Sequence, residues 1–355
     1  MSILTFSRVK ILFGMGLVCL LVQCLYFVNY YNLITTIQRY VPSTKPEPKP
    51  HEKFSDIQTM GNKQQTDVDN KNQTNILKNK HVNLVNFSLC PEILPALNEK
   101  VNLLVPDRMD LEDVALQLSR LRILKGGHQM PLDCEARYKI AILVPYRNRM
   151  DNLCSFLLNL HPFLTKQKLD YTIFVIEQFN DGKFNRGKLL NIGYTEALKL
   201  NNFDCFFLHD VDLIPMNNNN MYSCPIQPRH MATANNKYGG RMPYSDYFGG
   251  VVGINRTHFE LVNGFSNMYW GWGGEDDDFL YRISYHNLKF TRLPGHMGRY
   301  YALSHSGQLP NPERIDLLHS SFYRFDTDGL NTLNYKIKSL EILPLFTHFL
   351  VDLDE

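Results

Sequence analysis

Between Ile11 and Gln38 the chain carries no Asp, Glu, Lys or Arg. The most apolar part runs from Ile11 to Val28. Crossing a bilayer takes about 20 apolar residues. The run reaches that length with Asn29, Tyr30 and Tyr31, and tyrosines suit the membrane interface. Arg8 and Lys10 precede it, and the next cation is Arg39. The positive-inside rule then puts residues 1–10 in the cytosol and the chain beyond Tyr31 on the far side. A cleaved leader is the alternative. Such leaders have apolar cores of about 7–15 residues and a small-x-small cleavage site, neither of which fits here. The expectation is a signal anchor over 11–31. Residues 32–85 read as a disordered stalk. Pro46-Glu-Pro-Lys-Pro50 is proline-rich, and Lys63 to Asn83 is mostly Asn, Lys, Gln and Asp, with too little apolar surface to offset ordering.

Past an anchor, three Asn-x-Ser/Thr triplets, at Asn72, Asn86 and Asn255, would lie in a glycosylating compartment. Asn255 precedes a helix pattern and is expected to be modified less readily than the other two. Of the seven cysteines, Cys19 and Cys24 fall in the anchor. Cys90, Cys134, Cys154, Cys205 and Cys224 remain, and an odd number in an oxidising lumen implies a free thiol. Cys154 sits in an apolar helix-like stretch and is the candidate. Lys plus Arg number 37 against 35 Asp plus Glu, a balance of +2 that argues against a nucleic-acid partner.

Residues 86–355 have the size of one α/β domain. Lys139 to Pro145 reads as a buried strand and Asn152 to Leu160 as a helix with Pro162 just beyond it. Asp170 to Glu177 is a second strand, Arg186 to Leu200 a second helix, and Cys205 to His209 a third strand. That alternation predicts a parallel sheet flanked by helices, with ligands beyond the strands' carboxyl ends. Pro145-Tyr-Arg-Asn-Arg149 and Asp210-Val-Asp212 fall at those ends. No Gly-x-Gly-x-x-Gly or Walker-type loop follows a strand, which argues against a dehydrogenase or a P-loop enzyme.

Two carboxylates one residue apart at a strand end can serve a hard cation and a phosphate ligand together. Alone, the pair is a weak signal and usually a solvated turn; the strand context and lumenal location raise it toward nucleotide-sugar binding. Tyr269-Trp-Gly-Trp-Gly-Gly-Glu-Asp-Asp-Asp278 is more specific. It holds both tryptophans of the chain beside four acids. Gly271, Gly273 and Gly274 would free Trp272 to move as a lid. Crowded acids raise one another's pKa, which suits a general base, although an acidic run also suits a helix N-terminus.

With these motifs stand Phe184-Asn-Arg-Gly-Lys-Leu-Leu-Asn191, Gln227-Pro-Arg-His230, Tyr247-Phe-Gly-Gly250, His305-Ser306 and Asp328-Gly-Leu-Asn331. Together they resemble the animal β-1,4-galactosyltransferases, glycosyltransferase family 7, from about Cys90 to Asp354. The tail, anchor and stalk resemble the type II layout of Golgi transferases. The resemblance implies a GT-A fold, a Rossmann-like mixed sheet flanked by helices. It also implies inverting transfer of galactose from UDP-galactose to the 4-hydroxyl of a terminal GlcNAc, assisted by Mn²⁺. Carried over by position, Pro145, Tyr146, Arg147 and Arg149 would hold the nucleotide, with Phe184, Arg186, Asp210, Val211, Tyr247 and Gly274 completing the donor site. Asp212 and His305 would bind the metal. Asp276 would be the base, Glu275 would orient the site, and Trp272 would cover donor and acceptor. Tyr244, Asp277, Arg314, Ile315 and Leu318 would bind the acceptor with Trp272 and Asp276. The implied disulfides are Cys90–Cys134 and Cys205–Cys224.

Two positions depart from the family. Ala302 stands where a metal-ligating Met is usual, which predicts weaker or less selective Mn²⁺ dependence and leaves room for other divalent cations. The stretch between His305 and Arg314 is shorter than usual, and Ile315 stands where an aromatic is common. Asn311 and Pro312 read as an N-cap and first-turn proline, and Ile315 and Leu318 could equally be the core face of that helix. Tyr247 matches galactose-using members. A GalNAc-using transferase, or an anchored carbohydrate-binding relative with weakened catalysis, is the alternative.

Overall fold

The computed structural model describes residues 87–353, apart from 93, 96, 98 and 99. The tail, anchor and stalk, with Asn72 and Asn86, lie outside the described residues. Among the described residues no helix is long and apolar enough to cross a membrane.

The strands in chain order are β1 (His128–Gln129), β2 (Lys139–Tyr146), β3 (Asp170–Gln178), β4 (Cys205–His209), β5 (Leu213–Pro215), β6 (Arg229–His230), β7 (Ala234–Asn235), β8 (Val251–Asn255), β9 (Thr291–Arg292), β10 (Arg299–Ala302), β11 (Lys336–Ile342) and β12 (Thr347–Asp352). The main sheet runs β11-β12-β3-β2-β4-β8-β6-β9, with β1 also on β3. Neighbours from β12 through β4 are parallel, and β8 then runs antiparallel to β4. A smaller sheet, β5-β10-β7, stands beside it.

Period-2 alternation assigns β2 to both faces. Ile140, Ile142 and Val144 pack with the helix Met150–Thr165, while Ala141 and Leu143 pack with the helix Arg186–Leu200. Gly193 of the second helix crosses close to β3: a Cβ there would lie 2.6 Å from Ile176 Cδ1. Being buried on both sides is why these strands read as continuous apolar runs.

The expected strands and the second helix appear at or within a residue of their expected limits. The first helix differs, because Pro162 lies inside it. Phe163 and Leu164, both buried, carry the core face past the proline, so packing offsets the lost backbone bond. Asn311 and Pro312 do not start the helix Arg314–His319 either. It begins at Arg314, and Asn311 Oδ1 instead accepts from Glu313 N at 2.9 Å in the turn before it. Asn255 does cap the helix Arg256–Leu261, accepting from His258 N at 2.8 Å.

Cys90–Cys134 and Cys205–Cys224 are bridged, the pairing that the family resemblance implies. Cys154 is free and buried, and burial pushes its thiol up to about 11, which makes it inert.

A buried ionic cluster underlies the helix Glu275–Tyr285. Asp278 and Arg282 are both fully buried and meet at 2.6 Å. Tyr269 donates to Asp278 at 3.0 Å, and Arg282 and Arg324 approach Asp328 at 3.6 and 3.7 Å. Asp328 also accepts from Asn267 N at 2.8 Å and from the Ser266 hydroxyl. This accounts for the Asp328-Gly-Leu-Asn331 motif: it ties the loop before the acidic run to the helix after it. Removing one partner strands a buried charge. Arg282→Met is therefore expected to lower the unfolding free energy by about 3 kcal/mol. Urea denaturation of the purified protein checks this, and a loss within about 0.5 kcal/mol, as at an ordinary surface site, would contradict it.

Candidate active site

A cavity of about 710 Å³ opens beyond the carboxyl ends of β2 and β4. Pro145, Arg147 and Arg149 line it at alternate positions. Tyr146, between them, points the other way into the core, and its hydroxyl accepts from Arg149 N at 3.2 Å. It is the only expected donor or acceptor residue that is not on the cavity wall. Its part is to pack the strand end beneath the arginines.

Arg147 Nη1 donates to the carbonyls of Asn180 and Gly182 at 2.9 and 2.7 Å, and its guanidinium lies 5.4 Å from the Phe184 ring. Phe184 O accepts from Gly271 N at 2.8 Å, which joins the Arg147 side of the cavity to the tryptophan loop.

Arg186 opens its helix, with Asn185 capping it. Its Nε meets Asp210 at 2.6 Å, its Nη1 meets Asp276 at 2.7 Å, and Glu275 lies 3.9 Å away. One cation thus faces three carboxylates. Burial pushes Asp276 well above the ordinary aspartate value, Arg186 pulls it back, and Glu275, Asp210 and Asp277 push it up again. Asp210 and Glu275 are also raised by burial against the pull of Arg186. All four acids of the run sit in the first turn of the helix Glu275–Tyr285, where the helix dipole favours them.

Asp212 Oδ2 and His305 Nε2 are 2.9 Å apart. They arrive from adjoining strands: Asp212 precedes β5, His305 follows β10, and Leu303 N donates to Asp212 O at 2.8 Å. Burial would raise Asp212, but His305 and Arg149 bring it below the ordinary value, and the same bond raises His305. Ala302 lines the cavity opposite Leu213 and supplies no ligating atom. No group of three His, Cys, Asp or Glu that could hold a metal occurs among the described residues.

Gly271, Gly273 and Gly274 have φ of 93°, 100° and 97°, which explains the glycines around Trp272. The Trp272 side chain is 57% exposed, while its backbone bonds Leu309 O at 3.2 Å and Asn311 N at 2.9 Å. Arg314, Ile315 and Leu318 line the wall beyond, and their helix has no buried residue, so a core-face role for Ile315 and Leu318 is excluded. Tyr244 donates to Asp277 at 2.8 Å. Tyr247 lines the cavity floor near Gly249, where a Cβ would meet both the Tyr247 hydroxyl and Asp276. Val211 and Gly274 complete the expected set.

Asn235, Lys237, Tyr238 and Gln308 also line the cavity and were not anticipated. The Asn-Lys-Tyr-Gly-Gly run marks a turn, and only the pairing of β7 with β10 brings it to the site.

The family described as the N-terminal region of glycosyl transferase group 7 matches residues 90–225, and the N-terminal domain of galactosyltransferase matches 229–306. Beta-1,4-galactosyltransferase 4 of Cricetulus griseus is 44% identical over 271 residues, 76% of this chain and 78% of its own. Human beta-1,4-galactosyltransferase 1 is 42% identical over 276 residues, 77% of this chain and 69% of its own. The Drosophila β-1,4-galactosyltransferase 7 catalytic domain with xylobiose superposes at a TM-score of 0.54 with 31% identity, over 61% of this chain and 95% of that one. A mutant of the same enzyme was solved with manganese, UDP-Gal and xylobiose, TM-score 0.53. The chain therefore has a GT-A-like mixed α/β fold and belongs to the β-1,4-galactosyltransferase family, glycosyltransferase family 7.

Proposed function

We propose that the protein transfers galactose from UDP-galactose, with inversion, to the 4-hydroxyl of a terminal GlcNAc. The observation that carries this is Asp276: a carboxylate on the cavity wall, oriented by Arg186 and raised in proton affinity, close to the arginines of a nucleotide site. The related Drosophila enzyme solved with manganese and UDP-Gal supports it.

A single displacement inverts the sugar carbon and needs one base and no protein nucleophile. Asp276 takes the proton of the acceptor hydroxyl as its oxygen bonds to C1 of galactose. The bond from C1 to the UDP oxygen breaks, and the electron pair leaves on the diphosphate. Arg147 and Arg149 offset that charge. Asp212 and His305 supply a carboxylate oxygen and an imidazole nitrogen, a donor pair that fits Mn²⁺ when phosphate oxygens and water fill the other positions. A bound divalent cation there would further neutralise the leaving group. Trp272, Tyr244, Asp277, Arg314, Ile315 and Leu318 form the acceptor side. Tyr247 restricts room for a 2-acetamido group on the donor, which favours galactose over GalNAc. Residues 11–31 anchor the domain in the Golgi membrane with residues 86–355 lumenal, and glycans are carried at Asn72 in the stalk and at Asn86 where the domain begins. Asn255 is a poorer acceptor, because its side chain already caps a helix.

Four outcomes are expected. The deprotonated Asp276 is the active form, so kcat/KM should rise with pH through a limb above the ordinary aspartate value of 3.8. Asp276→Asn should cost at least about 100-fold in UDP release with a GlcNAc acceptor. Activity retained in that variant rejects Asp276 as the base. Ala302 leaves two protein ligands, so activation should need more Mn²⁺ and discriminate less against Mg²⁺ than a three-ligand site. Ala302→Met should lower the Mn²⁺ concentration for half-activation by about tenfold, or about 1.4 kcal/mol. Equilibrium Mn²⁺ binding in the presence of UDP reads this without turnover. Tight, Mn²⁺-selective activation of the unaltered protein would contradict it.

A further inference from the structure

The segment 244–250 that carries Tyr247 has no regular secondary structure. Three of its carbonyls are nonetheless fixed from one side. Arg292 Nη1 donates to Ser245 O at 2.7 Å and Arg292 Nη2 to Tyr247 O at 2.8 Å. His230 Nε2 lies 3.0 Å from Gly249 O. Arg292 Nε reaches His230 Nδ1 at 3.3 Å. A guanidinium can only donate, so Nδ1 accepts and the imidazole proton sits on Nε2, aimed at Gly249 O. His230 and Arg292 are register partners on the parallel strands β6 and β9. His230 is fully buried and packs edge-on against the Tyr247 ring at 5.5 Å, and Arg292 lies over Phe290 at 4.7 Å. Burial, reinforced by Arg292, keeps the imidazole neutral by lowering its pKa to about 3.

We infer that Arg292 and His230 are positioning residues that set donor choice: they hold the carbonyls of 245, 247 and 249, and so fix where the Tyr247 ring limits the space beside the donor sugar. This rests on the proposed role of Tyr247 in excluding a 2-acetamido group. A planar fork is required for two parallel bonds from one side chain, and lysine cannot supply it. Tyr247 N also donates to Tyr244 O at 3.3 Å and its ring packs against Tyr238 and Tyr244, so loosening this clamp is expected to shift the ring within a segment that stays tethered. Small displacements at a reacting site have large kinetic effects.

The test is turnover of UDP-Gal and UDP-GalNAc on one GlcNAc acceptor by the full-length protein and by Tyr247→Leu, Arg292→Lys and the double variant. Tyr247→Leu should raise the GalNAc-to-Gal ratio of kcat/KM. Arg292→Lys should raise it by about five- to tenfold, with KM for GlcNAc nearly unchanged, and should add little in the Tyr247→Leu background. An unchanged ratio in Arg292→Lys, with only activity or Tm reduced, means a structural role and overturns the inference. If Tyr247→Leu itself leaves the ratio unchanged, the reading of Tyr247 fails instead, and the positioning role falls with it. Should Arg292→Lys not fold, His230→Phe carries the same expectation and the same refutation, because it removes the bonds to Gly249 O and from Arg292 Nε while leaving those of Arg292 to Ser245 O and Tyr247 O.

Discussion

Arg186 is the contact on which the site depends. It is the first residue of a buried helix, so its backbone is fixed by the core. Its side chain then bridges Asp210 at the end of the sheet and Asp276 at the head of the acidic helix. Without that cation, Asp210, Glu275 and Asp276 would face one another across a cavity wall with only like charge between them. A buried pair of this kind is weak evidence for stability, because desolvation opposes the attraction. Its value is positional: it brings a strand-end carboxylate and a helix-head carboxylate into one cavity. Arg186 also draws the proton affinity of Asp276 down, but burial and the neighbouring carboxylates outweigh it, so the acid is oriented and still raised.

The acidic run could be placed where it is because each acid meets a different demand. Asp278 is turned into the core and neutralised by Arg282. Glu275 and Asp276 share Arg186. Asp277 is held by the Tyr244 hydroxyl. Helical spacing of about 100° per residue sends the four side chains in four directions, and the helix N-terminus offsets part of their charge. An acidic run at a helix start therefore also supplies three carboxylates of the cavity wall.

Much of this was legible in the sequence. Strand–helix alternation located the parallel core, because strands buried on both faces leave continuous apolar runs, as from Ile140 to Val144. The same reading placed Arg147, Arg149, Asp210 and Asp212 at strand ends. The misses have common causes. Pro162 was read as a terminator, but the burial of Phe163 and Leu164 overrides local propensity. Tyr146 was grouped with its neighbours, although alternation sends it to the opposite face. Lys237 and Tyr238 come to the cavity through the pairing of β7 with β10, for which a short polar turn gives no local signal. Likewise Arg292 and His230 look like isolated residues until β6 and β9 put them side by side.

The tryptophan loop joins two sides of the cavity. Phe184 O holds Gly271 N at one end of the loop, and Leu309 and Asn311 bond the Trp272 backbone on the other side. Gly273 passes beside Arg314, whose Cδ would lie 3.1 Å from a Cβ added there, and Arg314 Nη1 in turn donates to Asn311 O at 2.9 Å. Trp272 thus cannot change its main-chain position alone. It either breaks the bonds to 309 and 311 or carries that segment, with Arg314 and Ile315, along with it. Because the loop also hangs from Phe184, beside Arg147, the two ends of the cavity are connected through the main chain. The glycines supply the backbone freedom, and these few main-chain bonds decide which residues move together.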